Sequence, residues 1–166
     1  MINYPKTIRN FNAFVDGISY AGRVLEGKLP EPKLKTAEHR GGGMDAPIDI
    51  DMGMDKMEAE ITLAEWSPEL IALLGSNKRL VLRPYSQNQN DATVKGYIFT
   101  MGGLWQSTNF GDLKPDSDAP LKVMLSVDYL RIEHEGAELM EIDVQAGKRV
   151  IGGKDQFQAQ RAAMGF

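Results

Sequence analysis

The chain has 166 residues, of which 42% are hydrophobic and 25% charged, and its formal net charge is −4. This length fits one domain with a sizeable core, and the mildly acidic charge argues against tight, sequence-independent binding of nucleic acid, which requires a basic surface. The chain contains no cysteine, which excludes disulfides and thiolate metal sites.

The first third of the chain predicts strands that are separated by glycine-containing turns. Asp16-Gly17 lies between two apolar runs, which indicates a two-residue hairpin, because both central residues of a type I′ turn need positive φ. An extended segment with Pro30 and Pro32 follows, and prolines inside such a segment favour an edge or a kink. A polar stretch then leads into the three glycines 41–43. Beyond them, apolar and polar residues alternate over 48–51 and 56–63, the period of half-buried strands.

The middle of the chain predicts one short helix. Ser67 is suited to cap it, Pro68 to occupy its first position and Gly75 to end it. Strands are then predicted at 80–85, 92–101, 104–110, 121–129 and 139–144. Gly102-Gly103 is expected to separate the second and third of these strands.

Two further features are predicted towards the C-terminus. The alternation changes phase at Leu130, which predicts a bulge or bend there, and Glu135-Gly136 predicts a turn. Asp155, with Gln158 three residues later, predicts a capped helix over 156–164. Together the elements predict a mainly β fold of a single domain over residues 1–166, a two-sheet β-sandwich or barrel with one short internal helix and a short C-terminal helix.

The residues that could carry chemistry are sparse and leave several functions open. Asp49, Asp51, Asp55 and Glu60 fit a calcium-loop template only in part, because Gly53 stands at a ligand position. A hydrolase would have to use His39 or His134, the only histidines, and no nucleophile motif accompanies them. Trp66 or Trp105 could stack on a sugar, so a carbohydrate-binding β-sandwich stays an alternative, although a large aromatic side chain is more often part of a core. No cofactor is predicted, and residue chemistry alone argues against an enzyme.

Several stretches resemble the major tail tube protein of contractile-tailed bacteriophages and of R-type bacteriocins. The resemblance covers nearly the whole chain, is strongest over 11–60 and is weakest over 64–120. The residues that carry it are Phe11–Gly22, Leu29-Pro30, Lys35, Glu38, Arg40, Gly42–Ile48, Met52-Gly53, Ile151–Gln156 and Gly165-Phe166.

The resemblance implies a structural subunit whose hexameric rings stack into the inner tube of a contractile tail or tailocin, and which conducts DNA during ejection in a phage. It implies two β-sheets whose strands join those of neighbouring subunits around a lumen, through which DNA passes without specific binding. The implied partners are further copies of the chain, the tail sheath, the baseplate or initiator, and the tail terminator. The implied location is the virion tail, after synthesis in the bacterial cytoplasm. No apolar run of about 18 residues occurs in the chain, so no membrane binding is expected.

Two surfaces are predicted to serve such a tube. The first is an extended glycine-rich loop around 40–47, expected to contact an adjacent ring; glycine permits close backbone approach and methionine is an adaptable apolar contact. Its residues are Arg40, Gly41, Gly42, Gly43, Met44, Asp45, Ala46 and Pro47. The second is the lumen, which is expected to be neutral to acidic because cationic phosphate contacts would slow DNA. Its candidate residues are Lys56, Glu58, Glu60, Thr62, Lys122, Ser126 and Asp128.

Overall fold

A computed structural model describes residues 2–166, and within them the chain forms twelve strands and two short helices. The helices are α1 (Pro68–Ile71) and α2 (Gln158–Met164). The strands are β1 (Thr7–Val15), β2 (Ile18–Ser19), β3 (Val24–Lys28), β4 (Leu34–His39), β5 (Ile48–Met54), β6 (Met57–Leu63), β7 (Leu80–Gln87), β8 (Val94–Asn109), β9 (Leu121–His134), β10 (Ala137–Asp143), β11 (Lys148–Ile151) and β12 (Lys154–Asp155).

Ten strands form one antiparallel sheet that forks at β9. The main path runs β12-β11-β10-β9-β8-β7-β1-β2, and β6 joins β9 on one side and β3 on the other. The first half of β9, Leu121–Val127, pairs with β6, whereas the half from Tyr129 onward pairs with β10. Because β8 runs beside both halves of β9, the sheet folds into two layers that share these long strands. The sheet is not closed.

A bulge lies at the fork. Gly102 pairs with Tyr129 and the next residue, Gly103, pairs with Val127, so Asp128 is an extra residue in β9. Gly103 has a φ of +150°, and a Cβ atom there would lie 1.8 Å from the carbonyl oxygen of Ser126. Only glycine fits so close a backbone approach. The predicted bulge near Leu130 is therefore found at Asp128, but the prediction that Gly102-Gly103 divides two strands is wrong, because β8 continues through both glycines.

The core lies between the two layers. In β6, the apolar side chains point inward at every second residue, as the period of two predicts. Strand β3 passes close to β1: a Cβ atom at Gly27 would lie 3.2 Å from the Phe11 ring. The indole N–H of the buried Trp105 donates to the carbonyl oxygen of Lys78 at 2.9 Å. Burying each large aliphatic side chain contributes about 1.5–3 kcal/mol. The largest fully buried side chains are Trp105, Tyr20, Met57, Ile61, Leu63, Leu70, Leu80, Leu82, Met101, Leu121, Leu125 and Leu130.

The two tight hairpin turns predicted from the sequence agree with the structure. Asp16 and Gly17 have φ values of 50° and 81°, and Glu135 and Gly136 have values of 49° and 80°. Positive φ at both central residues is the type I′ requirement, and it joins β1 to β2 and β9 to β10 without splaying the strands.

The helix ends differ from the sequence predictions. Ser67 precedes α1 without a side-chain cap, because its hydroxyl donates to Glu69 instead. Helix α2 begins at Gln158, so the predicted cap at Asp155 is wrong: that residue ends the sheet in β12 and its carboxylate binds Arg161. The mainly β architecture with two short helices is nevertheless confirmed. Within residues 2–166, neither helix has the length and apolar character needed to cross a membrane.

Replacing Gly103 by alanine should destabilise the fold, because the Ser126 carbonyl would have to move away from the new methyl group. We expect a loss of roughly 3 kcal/mol or more in the free energy of unfolding, the range of strained backbone substitutions, measured by urea denaturation. Gly96→Ala in the same strand is the matched control, since a Cβ there meets no atom within 4 Å. Equal stability of the two variants would contradict the role of this close approach.

Candidate assembly surfaces

Strands β4 and β5 form a hairpin that stands apart from the main sheet. They make a two-stranded sheet of their own, and all six residues of β4 are exposed. A six-residue strand spans about 20 Å, so the hairpin is long enough to reach well beyond the main sheet and its helices, which we call the body. We call residues Leu34–Met54 the arm. Isolated two-stranded hairpins are marginally stable in water, and the arm has no core of its own.

The two faces of the arm differ in chemistry. Ala37 pairs with Ile50 and His39 with Ile48, which places these side chains on one face. The two isoleucines are 43% and 54% exposed, so this face is an uncovered apolar surface. On the other face Glu38 lies directly opposite Asp49, and like charges at paired positions destabilise a hairpin.

One ion pair holds the base of the arm to the body. The buried guanidinium of Arg149 in β11 donates through Nη2 to Oδ2 of Asp51 at 2.6 Å. The backbone N–H of Gly53 donates to the other carboxylate oxygen at 2.9 Å. The hydrogen bond from Arg149, followed by that from Gly53, lowers the pKa of Asp51. The arm is therefore anchored at its base, where Met54 also packs against the core, whereas the residues of β4 are exposed.

The predicted interface residues 40–47 form the tip of this arm. The backbone N–H of Met44 donates to the carbonyl of Gly41 at 3.3 Å, and Gly43 between them has a φ of +82°. The Nε of Arg40 donates to the Met44 carbonyl at 3.2 Å. A Cβ on Gly42 would meet no atom within 4 Å, so the tip has a defined turn and an open outer side. Its contact with another subunit stays a prediction.

Most of the predicted lumen residues share one face of the main sheet. The pairing of β6 with β9 places Glu58 opposite Ser126 and Thr62 opposite Lys122, although Thr62 is buried within the subunit. The carboxylate of Glu60, on the same face, lies 3.6 Å from the Lys122 ammonium. Asp128 is different: it lies in the bulge and accepts a hydrogen bond from Gln145 at 2.7 Å. We call the layer made of β3, β6, the first half of β9 and the adjoining half of β8 the polar layer, and its outward face the polar face.

Each predicted lysine on the polar face has an acidic partner. The ammonium of Lys56 lies 3.1 Å from Glu58, and both side chains hydrogen-bond to Gln106 of β8. The hydrogen bond from Gln106, then that from Lys56, lowers the pKa of Glu58. The positive charges of Lys56 and Lys122 are thus locally compensated.

The sequence predictions missed three members of the polar face. Glu26 and Lys28 of β3 pair with Thr62 and Glu60 in register, and Gln106 comes from β8. The alternation of Glu26-Gly27-Lys28 was a usable signal for a strand with charged residues on one side. Gln106 had no comparable signal, because it faces β6 and β9 only after the register shift between Trp105 and Ser107.

The other residues considered for metal binding, catalysis or sugar binding lie apart from one another or already contact other side chains of the subunit. Asp51, a member of the calcium template, binds Arg149, and no cluster of three or more potential metal ligands occurs within residues 2–166. His39 lies on the arm, whereas His134 stacks on Tyr97 with ring centroids 4.2 Å apart. Trp105 is a core residue, which overturns its proposed role in sugar binding.

Comparison with known proteins places this fold among tail tube proteins. The family model for phage tail tube protein FII matches residues 5–165. The tail tube protein of Escherichia phage P2 is 26% identical over 170 residues, with 98% of each chain covered. The major tail tube protein of Serratia phage KSP20 is 26% identical over 143 residues, with 84% of each covered.

Two solved structures share the fold at low sequence identity. One is a chain of the sheath-tube complex of an extracellular contractile injection system, PVC, in its extended state. It matches with a TM-score of 0.58 and 11% sequence identity, and the match covers 78% of this chain and 92% of that chain. The other is a chain of the baseplate of the anti-feeding prophage, AFP: TM-score 0.52, 16% identity, 80% and 97% covered. At these identities the likeness concerns the fold alone.

Two neighbouring aspartates on the arm should respond to neutralisation in opposite directions. Asp51→Asn removes the carboxylate that compensates buried Arg149, so we expect faster amide exchange throughout 34–54 at neutral pH. Asp49→Asn is the matched control: it removes the repulsion from Glu38 and should leave exchange unchanged or slower.

The same ion pair sets a pH dependence. Because the pKa of Asp51 is lower in the folded chain than its unfolded value of 3.8, the ion pair stabilises the arm above pH 3.8 and this contribution is lost as pH falls through the folded-state value. Protection factors of the arm in the wild type should fall towards those of Asp51→Asn over that range. Exchange in Asp51→Asn equal to that of the wild type at neutral pH would contradict the anchoring role.

Proposed function

The chain belongs to the phage tail tube protein FII family, and from this membership we propose that it forms hexameric rings that stack into the inner tube of a contractile tail or of a related injection device. The match over residues 5–165 is the observation that carries the proposal. The proposed role is structural, without catalysis or a cofactor. The proposed location is the virion tail, after synthesis in the host cytoplasm.

The free strand edges of the polar layer suit a ring. In this layer β3 has β6 as its strand partner, and the last residues of β8 have β9. The other side of β8 exchanges backbone hydrogen bonds with Gly75 and Ser76 at Trp105, so the β8 edge is open only over residues 106–109. The four strands β3-β6-β9-β8 alternate in direction, since each neighbouring pair is antiparallel. With an even number of strands, the β8 edge of one copy meets the β3 edge of an identically oriented copy in antiparallel fashion. Such a heterologous contact closes into a ring if the rotation between copies permits it, and closure removes the free edges.

The polar face is the proposed wall of the lumen. Lys56 and Lys122 already have glutamate partners within 3.1 and 3.6 Å, so of the three lysines placed on this face only Lys28 is left to contact phosphate, and passing DNA is held weakly. The candidate residues on this face are Lys56, Glu58, Glu60, Thr62, Lys122 and Ser126, and Glu26, Lys28 and Gln106 extend the same wall.

The arm is the proposed connection between rings. Its tip, residues 40–47, is the part of the chain that stands furthest from the anchored base of the arm, and its apolar face needs a cover that the chain itself does not supply. A second copy in the next ring provides such a cover. The other proposed partners are the sheath around the tube, the baseplate or initiator at one end and the terminator at the other.

Carbohydrate binding, the second hypothesis from the sequence, has no comparable support. Trp105 lies in the core, and Trp66 is in contact with Phe110. The matched relatives are tail tube proteins.

Electron microscopy of the concentrated protein, alone and with its tail-initiation partners, tests the assembly. We expect rings and stacked tubes, with amide exchange at 40–47 slowing on polymerisation. Replacing Gly42 and Gly43 together by valine should leave the body folded but abolish tube growth, because the second substitution strains a residue at φ +82°. Gly42→Val alone meets no neighbouring atom within the subunit, so its effect isolates contacts made with another copy. A strictly monomeric wild type would contradict the proposed function.

Removing the acidic partners of the lumen lysines should make the tube retain DNA. In Glu58→Gln/Glu60→Gln tubes, we expect short DNA to co-sediment at low salt, with log K falling by about 0.9 per log salt for each additional phosphate that the lysines bind. Glu133→Gln/Glu138→Gln is the matched control, because it frees Arg131 on the opposite layer. Retention of DNA by the control variant only would place the lumen on that other layer.

A further inference from the structure

A pair of aromatic side chains forms an exposed apolar site at one end of the body. Trp66 and Phe110 meet edge to face, with centroids 5.4 Å apart and an interplanar angle of 71°. They remain 40% and 41% exposed. We call these two residues the aromatic patch. An exposed aromatic pair with a fixed geometry is the kind of surface that becomes an anchor point in protein interfaces.

The aromatic patch and the arm lie at opposite ends of the polar layer. Trp66 follows the end of β6, where Leu63 pairs with Leu121, and Phe110 follows the end of β8. The arm lies between β3 and β6 in the chain, at the end of the layer where Lys28 pairs with Glu60 and Met57 with Val127. A subunit therefore has an apolar projection at one end and an apolar receptor at the other.

We propose that the apolar face of the arm of one subunit packs on the aromatic patch of a second copy of this chain in the next ring. This inference rests on the proposed function, because it requires identical subunits stacked in one orientation. In such a stack the arm end of each copy faces the patch end of the next. A contact between two different surfaces of identical copies then repeats along the axis without closing.

The chemistry of the two surfaces is complementary. Ile48 and Ile50 on the arm offer branched aliphatic groups, which pack well against aromatic faces and edges. The arm tip carries Arg40, and the loop after Phe110 carries three aspartates against one lysine, a local charge of 1 − 3 = −2. The aspartates are Asp112, Asp116 and Asp118. The tip as a whole is neutral, since Asp45 offsets Arg40, so only the Arg40 guanidinium itself is attracted to the loop that borders the patch.

The absence of cysteine from the sequence allows a direct test by disulfide trapping. Ile48→Cys and Phe110→Cys variants, mixed under assembly conditions and oxidised, should give a disulfide-linked dimer that neither variant gives alone. Asp49→Cys is the matched control: it lies next to Ile48 on the opposite face of the arm, so its yield with Phe110→Cys should be at least tenfold lower. Equal yields from the two faces overturn the proposal.

Tryptophan fluorescence of the unmodified chain provides a second measurement that does not depend on the cysteine variants. Trp105 is buried in the subunit, so a blue shift of emission on assembly reports on Trp66, and Trp66→Phe should abolish the shift while preserving an aromatic contact. If tubes form but show neither the disulfide-linked dimer nor the blue shift of emission, this inference is overturned and the proposed function still stands. Failure of the unmodified chain to form tubes with its initiation partners overturns both.

Discussion

The rest of the structure depends on the close approach of Gly103 to the carbonyl oxygen of Ser126. A side chain at Gly103 would lie 1.8 Å from that oxygen, so the approach requires glycine. It allows β9 to carry Asp128 as an extra residue and to exchange β6 for β10 as its neighbour. Without this fork, the polar layer and the second layer would be one continuous sheet with no core between them.

The fork also separates the surfaces that the proposed function needs. One layer holds the polar face, the β3 edge, the short open part of the β8 edge beyond Trp105 and, at opposite ends, the arm and the aromatic patch. The other layer buries the opposite side of the core through β1 and β7. Because each surface comes from a different part of one layer, the contacts proposed for ring closure and for stacking are distinct, so each can be disrupted by substitution without removing the other.

The sequence predicted local features well and long-range ones poorly. The turns at Asp16-Gly17 and Glu135-Gly136 follow from residue chemistry within two positions, and the alternation in β6 follows from its one-sided burial. The continuity of β8 through Gly102-Gly103 was not predictable, because the glycines there serve a contact with β9 rather than a chain reversal. The helix cap at Asp155 failed because the helix begins later in the chain, with Phe157 at the cap position: one oxygen of Asp155 accepts the backbone N–H of Phe157 in the preceding turn, and the other binds Arg161.

The candidate site shows the same limit and indicates how a free subunit avoids premature association. Residues 40–47 were predictable as one unit because they are contiguous, whereas Glu26, Lys28 and Gln106 joined the polar face only through strand pairing. The charges of Glu26 and Lys28 lie on the open β3 edge, where charged side chains discourage unplanned pairing. The arm is held to the body at its base, by the ion pair at Asp51 and by Met54 packed against the core, and in the proposed tube its apolar face is covered by another copy. If the chain assembles as proposed, both features favour growth on an existing ring, where several contacts form together, over association of free subunits in solution.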